Sequence, residues 1–215
     1  MGAQVTLLIS HKGVDLHAAT AARVMRDRLA GGERLVALGR AEFHTFWPQE
    51  AERGAGRDAA GAGESRATVA ALLAAGRVFN PNKHHYGHFE LSFAGERWSR
   101  PGFACRGQAL PAGWPGTAVA TDLGRADAGL LERLLGRAAG EAAVVDVCAF
   151  ALAGDEGPVL SGVVWRLVLA PGREEPAALA DALTVARGAS RGLLVNPHLQ
   201  GWLTAVRAVA GNGTD

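Results

Sequence analysis

Two cysteines, Cys105 and Cys148, are all that 215 residues contain. The first ten residues have no basic start and only a short apolar run, so they do not read as a signal peptide. A reduced, cytoplasmic setting is expected, in which both thiols act as small buried hydrophobes rather than as a disulfide. Net charge is scarce too: 22 basic against 21 acidic residues leave +1. Such a balance gives no electrostatic footprint for nucleic acid or an anionic membrane surface, and neither is expected as a partner. No apolar run approaches the roughly 20 residues of a membrane span. The common short motifs of chemistry are missing: there is no Gly-x-Ser-x-Gly, Walker loop or dinucleotide fingerprint. Gly54-Ala55-Gly56 and Gly61-Ala62-Gly63 have no strand directly before them, which argues against a phosphate cradle. Lysine is nearly absent while arginine is common, which reads as a coding bias.

What is present is apolar material. A hydrophobic share of 48% is enough for a packed core in one large or two small domains. Val5 to Ile9 reads as a strand, with Asp15 capping a helix whose stripe is Ala18, Ala21, Ala22, Met25 and Leu29. Gly31-Gly32 ends that helix. Arg34 to Leu38 and Ala41 to Trp47 read as two strands joined at Gly39-Arg40. Residues 48–64, rich in glycine, alanine and charge, read as a mobile loop. A helix opened by Ser65 or Glu64 carries Val69, Leu72 and Leu73 on one face. Asn80-Pro81-Asn82 turns the chain into a strand from Tyr86 to Phe93. The order is β-α-β-β-α-β.

Past a Pro/Gly-rich stretch at 95–116, with Trp98, Phe103 and Trp114 pinning it to the surface, the order repeats. Thr117 to Leu123 is a strand, and Asp127 caps a helix with Leu130, Leu131, Leu134, Leu135 and Ala138 on one face. Ala143 to Leu152 and Val159 to Leu169 are strands joined by a turn at Gly154 to Gly157. A helix aligns Leu179, Ala182, Leu183 and Ala186, and Asn196-Pro197 leads into a last strand at Trp202 to Val209. Asn-Pro occupies the same slot in both copies. The expected fold is therefore α+β: two tandem ferredoxin-like units, 1–94 and 117–215, joined by the linker 95–116. Several strands are apolar on both faces, as in Val163, Val164, Trp165, Leu167 and Val168. Helices cover only one face of such a unit. The two sheets are then expected to pack face to face as a pseudo-dimer, or to close through a homo-oligomer or larger assembly.

The most polar cluster is Lys83-His84-His85-Tyr86-Gly87-His88. On a strand His84 and His88 share a face and could converge, while His85 points away. Two histidines make a metal site only with a third ligand, and none is in place by spacing, so neither a metal nor another cofactor is assigned. An anion or partner contact fits better, with His11, Lys12, Arg40, Asn80 and Asn82 adding to a basic rim. The carboxylates Asp122, Asp127 and Asp146 are too scattered for paired acid–base work, and no catalytic residue is assigned. Trp47, Trp98, Trp114, Trp165 and Trp202 read as core or interface anchors.

Four features of the first half carry a resemblance: Lys12-Gly13-Val14-Asp15 after the first strand; the helix opening Ala18-Ala19-Thr20; Gly39-Arg40 before a strand; and Leu72-Leu73 running to Asn80-Pro81. In these residues 5–93 resembles the PurS family, the small S subunit of bacterial and archaeal phosphoribosylformylglycinamidine synthase. The match departs at Ala37, where the family has arginine, at Asn82-Lys83-His84-His85, where it has apolar and acidic residues, and in holding two units rather than one. The resemblance implies a non-catalytic subunit that holds together the large synthetase subunit and the glutaminase subunit in purine biosynthesis. The ATP-dependent amidoligase chemistry would lie on the large subunit. The alternative is a small enzyme or ligand-binding protein on a dimeric α/β-barrel-like ferredoxin scaffold.

Overall fold

The computed structural model describes residues 4–46, 76, 78–91, 108–109, 120–121, 130–136, 140–152, 160–188 and 191–207. They form an α+β protein built on one eight-stranded sheet. The strands are β1 (Gln4–His11), β2 (Leu35–Phe46), β3 (His84–Leu91), β4 (Gln108–Ala109), β5 (Ala120–Thr121), β6 (Ala143–Leu152), β7 (Leu160–Leu169) and β8 (Gly201–Arg207). The helices are α1 (Leu16–Arg28), α2 (Leu130–Leu135) and α3 (Pro176–Thr184). Across the sheet the order is β4-β8-β6-β7-β2-β1-β3-β5. The six longer strands pair antiparallel throughout. β5 adds antiparallel to β3, and β4 adds parallel to β8.

The local reading of α1 holds. Asp15 accepts from the N–H groups of His17 and Ala18, a cap of about 1 kcal/mol. Ala18, Ala21, Ala22 and Met25 are its buried face. Gly31, at φ 79°, supplies the left-handed residue beyond the helix end.

The expected hairpin at Gly39-Arg40 does not form. β2 runs unbroken for 12 residues, and Gly39 does not have a positive φ. A Cβ on Gly39 would lie 2.8 Å from the carbonyl carbon of Leu135 and closer still to its oxygen. The glycine is there because the end of α2 lies on the strand, not because the chain turns.

The expected stack of two sheets is not observed either. All strands of the described residues lie in one sheet, and the halves meet edge to edge where β2 pairs with β7 from Leu35↔Leu169 to Thr45↔Leu160. Pairing two long edges satisfies their backbone groups directly, which stacking would leave open. With the hairpin gone, β7 stands beside β2 where a ferredoxin-like unit would have its own second strand. In the second half β6, not β5, lies between β8 and β7. Elements cross between halves: β5 pairs with the first half's β3, and α2 packs on β1, β2 and β3. Gln108–Ala109, within the stretch expected as a linker, is a strand on β8. The expected loop 48–64, the helix from Ser65, Asp127, the turn Gly154 to Gly157, Cys105, and Trp47, Trp98, Phe103 and Trp114 lie outside the described residues.

Both faces of the sheet are covered. On one, α1 and α3 join Val145, Val147, Trp165, Leu167, Leu169 and Trp202 in a single cluster around Met25, Leu179 and Leu183. Each such fully buried side chain contributes roughly 1.5–3 kcal/mol. The other face, with Leu8, Phe43, Cys148, Phe150 and Val164 all buried, carries α2 rather than a second sheet. Gly162 makes room there: a Cβ would sit 2.6 Å from Phe43 Cε1 and 2.8 Å from Phe150 Cα. On the same face the cross-strand partners Asp146 and Arg166 form a buried bidentate pair, Nε to Oδ1 at 2.8 Å and Nη2 to Oδ2 at 2.9 Å. Arg166 Nη1 also donates to Gly136 O at 3.2 Å, at the end of α2. Burial, with Asp146 beside it, pushes the Cys148 thiol pKa far up.

The two Asn-Pro joints are built alike. Asn80 Oδ1 accepts from Asn82 N at 2.9 Å, and its carbonyl accepts from Lys83 N and His84 N at 3.0 and 2.8 Å. Asn196 Oδ1 accepts from His198 N at 3.0 Å, and its carbonyl accepts from Leu199 N and Gln200 N at 3.1 and 2.8 Å. In each, the side chain four residues on accepts from the asparagine N–H: His84 Nδ1 at 3.2 Å, Gln200 Oε1 at 2.8 Å. A buried apolar residue, Phe79 or Val195, precedes each asparagine.

Candidate functional site

β1 ends and β3 begins at the same edge of the sheet, so His11 and His84 are cross-strand partners. Their rings meet edge to face with centroids 5.0 Å apart. The Asn80 turn is clamped to the end of β1 twice: Lys12 N donates to Lys83 O at 2.8 Å, and Lys12 Nζ donates to Pro81 O at 2.7 Å. His84 accepts the Asn80 N–H at Nδ1, so the neutral ring carries its proton on Nε2. Burial, then His11 and Lys83, lower the His84 pKa, and Glu42 partly opposes them.

Beside this clamp the β1–α1 corner holds Arg40. Its guanidinium donates to Asp15 Oδ2 at 3.1 Å and Glu42 Oε1 at 2.6 Å, and it stands 5.8 Å over the Trp165 ring. Burial raises the Asp15 pKa, but the Ala18 N–H bond and Arg40 outweigh it and the net shift is down. Val14, just before the helix cap, and Leu16, the first residue of α1, are 79% and 73% exposed. Such large apolar side chains beside fixed donors suit a contact surface.

Of the residues expected to form a basic rim, His11, Lys12, Arg40, Asn80, Asn82, Lys83 and His84 gather at this end of the sheet. His85 stands opposite Ser10 and faces the other way. His88 lies opposite Leu7, about 13 Å along the strand from His84 at the usual rise per residue. The true neighbour of His84 is across the strand, not along it. Among the described residues no group of three or more His, Cys, Asp or Glu could hold a metal ion.

The sequence reading missed three pairings. Asp15 and Glu42 hold Arg40, and Asp146 holds Arg166. A lone acid in Val144 to Val147 and a lone base in Trp165 to Val168 were the legible signal for the second. His44 Nδ1 meets its cross-strand partner Ser161 Oγ at 2.9 Å. Burial lowers the His44 pKa, with Glu42 opposing. Among the described residues no carboxylate hydrogen-bonds to His44 as the orienting third group of a nucleophilic triad would.

The site belongs to an α+β protein with a mainly antiparallel sheet and a donor-rich, apolar-flanked corner. Compared with family models, with curated proteins and with solved structures, the chain matches none of them. Among the described residues no helix is long and apolar enough to cross a membrane.

Proposed function

We propose that this chain is a non-catalytic bridging subunit of the PurS kind, acting in the cytoplasm within a phosphoribosylformylglycinamidine synthase of purine biosynthesis. Its partners are the large synthetase subunit and the glutaminase subunit, and it needs no cofactor of its own. One observation carries the reading. Three of the separated motifs behind the resemblance are tied together at one corner: Lys12 bonds Pro81, and Asp15 bonds Arg40. The corner then displays Val14 and Leu16 to solvent. A donor-rich surface with exposed apolar side chains and, among the described residues, no convergent acid–base set suits holding a partner better than transforming a substrate. In finer detail, the two similar Asn-Pro joints let one chain stand for two small subunits, a tandem pseudo-dimer.

Affinity purification of the tagged chain from its own cells tests this. Both synthase subunits are expected to co-elute, and Val14→Asp with Leu16→Asp is expected to release them while leaving the fold intact. Elution of the chain alone, together with unchanged growth without purines after deletion, overturns the proposal.

A further inference from the structure

β1 and β2 separate before β2 is finished. Their ladder stops at Ile9↔Glu42, and by Lys12 the chain has swung to β3, donating to Lys83 O. Residues 35–41 of β2 have β7 on one side and no strand of the described residues on the other. The bond from Lys12 also fixes the phase. Alternate residues of an antiparallel strand turn their peptide groups to opposite neighbours. Ile9 therefore faces β2 and Glu42 faces back, so Arg40 and Leu38 turn N–H and C=O into the gap. Arg26 reaches from α1 to occupy the first part of this edge, donating to Leu35 O at 2.8 Å and Val36 O at 2.7 Å. Among the described residues nothing does the same at Leu38 and Arg40.

The gap is a cleft of ≈ 290 Å³. Ala18 and Ala19 of α1 and Leu134 of α2 give it apolar walls, and Ser10, Leu38 and Arg40 also line it. Ser10 is 5% exposed, and its Oγ has no hydrogen-bond partner among the described residues. Arg40 spends two of its five N–H groups on Asp15 and Glu42. The unspent groups are thus peptide N–H and C=O pairs, a hydroxyl and guanidinium N–H. Charge selects the ligand. An anion would approach Arg40 past two carboxylates already bound to it, and a cation would meet the guanidinium itself. A neutral amide carries both a donor and an acceptor, and so can pair with each kind of unspent group.

We infer that this cleft binds a short, extended, neutral peptide segment, which adds to β2 alongside Leu38 and Arg40 and continues the sheet on the side β1 has left. It is strand addition at an exposed edge, with backbone pairing for affinity and the apolar walls for side chains. The inference does not depend on the bridging role: a chain without synthase partners would still hold such a segment.

Titration of the full-length, nitrogen-15-labelled protein tests it. The probes are N-acetyl-alanyl-alanine methylamide, sodium acetate and inorganic phosphate. The blocked dipeptide is expected to shift the amide signals of Leu38, Gly39 and Arg40 saturably and without dependence on added salt. Ala19→Trp, at an exposed helix position lining the cleft, is expected to weaken that binding at least tenfold with no change in the urea midpoint. Three results overturn the inference: acetate or phosphate moving these signals in place of the dipeptide, no movement with any probe, or equal dipeptide binding by the tryptophan variant.

Discussion

Gly39→Ala separates two ways of reading the middle of β2. If Gly39 were a turn residue, alanine would cost about 1 kcal/mol through backbone strain and asparagine would be tolerated. The structure gives another cause. The new methyl would lie 2.8 Å from the carbonyl carbon of Leu135, where ordinary contact begins near 3.4 Å, and its oxygen is nearer. The end of α2 would have to move off the strand by more than half an ångström. That movement pulls on Gly136 O, the acceptor for Arg166 in the buried pair. Overpacking of this kind costs about 1–3 kcal/mol. Alanine returns about 0.5–1 kcal/mol by restricting the unfolded chain. Taking the middle of each range, the net loss is about 1 kcal/mol, or some 2–4 °C in Tm for a chain of this size. Asparagine, being larger, is expected to cost more than alanine, opposite to the turn expectation. Two glycines serve as controls. Gly13 has open space and no positive φ, so Gly13→Ala is expected to be neutral or slightly stabilising. Gly76 meets nothing among the described residues but has φ 65°, so there asparagine is expected to outperform alanine. Urea unfolding followed by both circular dichroism and tryptophan fluorescence reads all of them. A Gly39→Ala protein as stable as the parent, or an asparagine variant better than alanine, would refute the packing account.

Asp146→Ala strands the buried Arg166 guanidinium and is expected to cost about 3–5 kcal/mol in a urea titration; a loss under 1 kcal/mol would show the pair reaches water. Asn80→Ala and Asn196→Ala each remove one side-chain bond of the same turn and are expected to cost about 1 kcal/mol apiece, additively, since the sites share no partner; clearly unequal losses would contradict the equivalence of the joints. His44 and His84 both titrate below the ordinary value of 6.5 in the folded chain. Their contribution is complete above that value and is lost as pH falls through the folded pKa. The urea midpoint is therefore expected to drop between pH 7.5 and 5, and less steeply in His44→Gln. An identical slope in the variant would remove His44 from the account.

Local structure was legible where a residue's neighbours in sequence decide it. The cap at Asp15, the alanine face of α1, the stop at Gly31, the apolar strands β6 and β7 and both Asn-Pro turns follow from spacing and turn chemistry within a few residues. Of the candidate site, the gathering of His11 and Lys12 with Asn80, Lys83 and His84 was anticipated as a basic rim. The pairing of His84 with His11 across the strand was not anticipated, because it depends on register rather than on spacing along β3.

The sequence alone determined that there would be an apolar core, strands buried on both faces, and two similarly placed Asn-Pro joints. It could not say what those faces would meet. Long-range pairing selected edge-to-edge union of β2 with β7 over stacking, and it sent α2 to the opposite face of the sheet. Gly39 shows why. A glycine between two apolar runs has the same local signature whether the chain turns there or a helix end rests on it, and only the position of Leu135, 96 residues away in the chain, tells the two apart. The gap beside Leu38 and Arg40 has the same origin: it exists because two strands of unequal reach were paired by tertiary structure, so no local pattern in the sequence could have marked it.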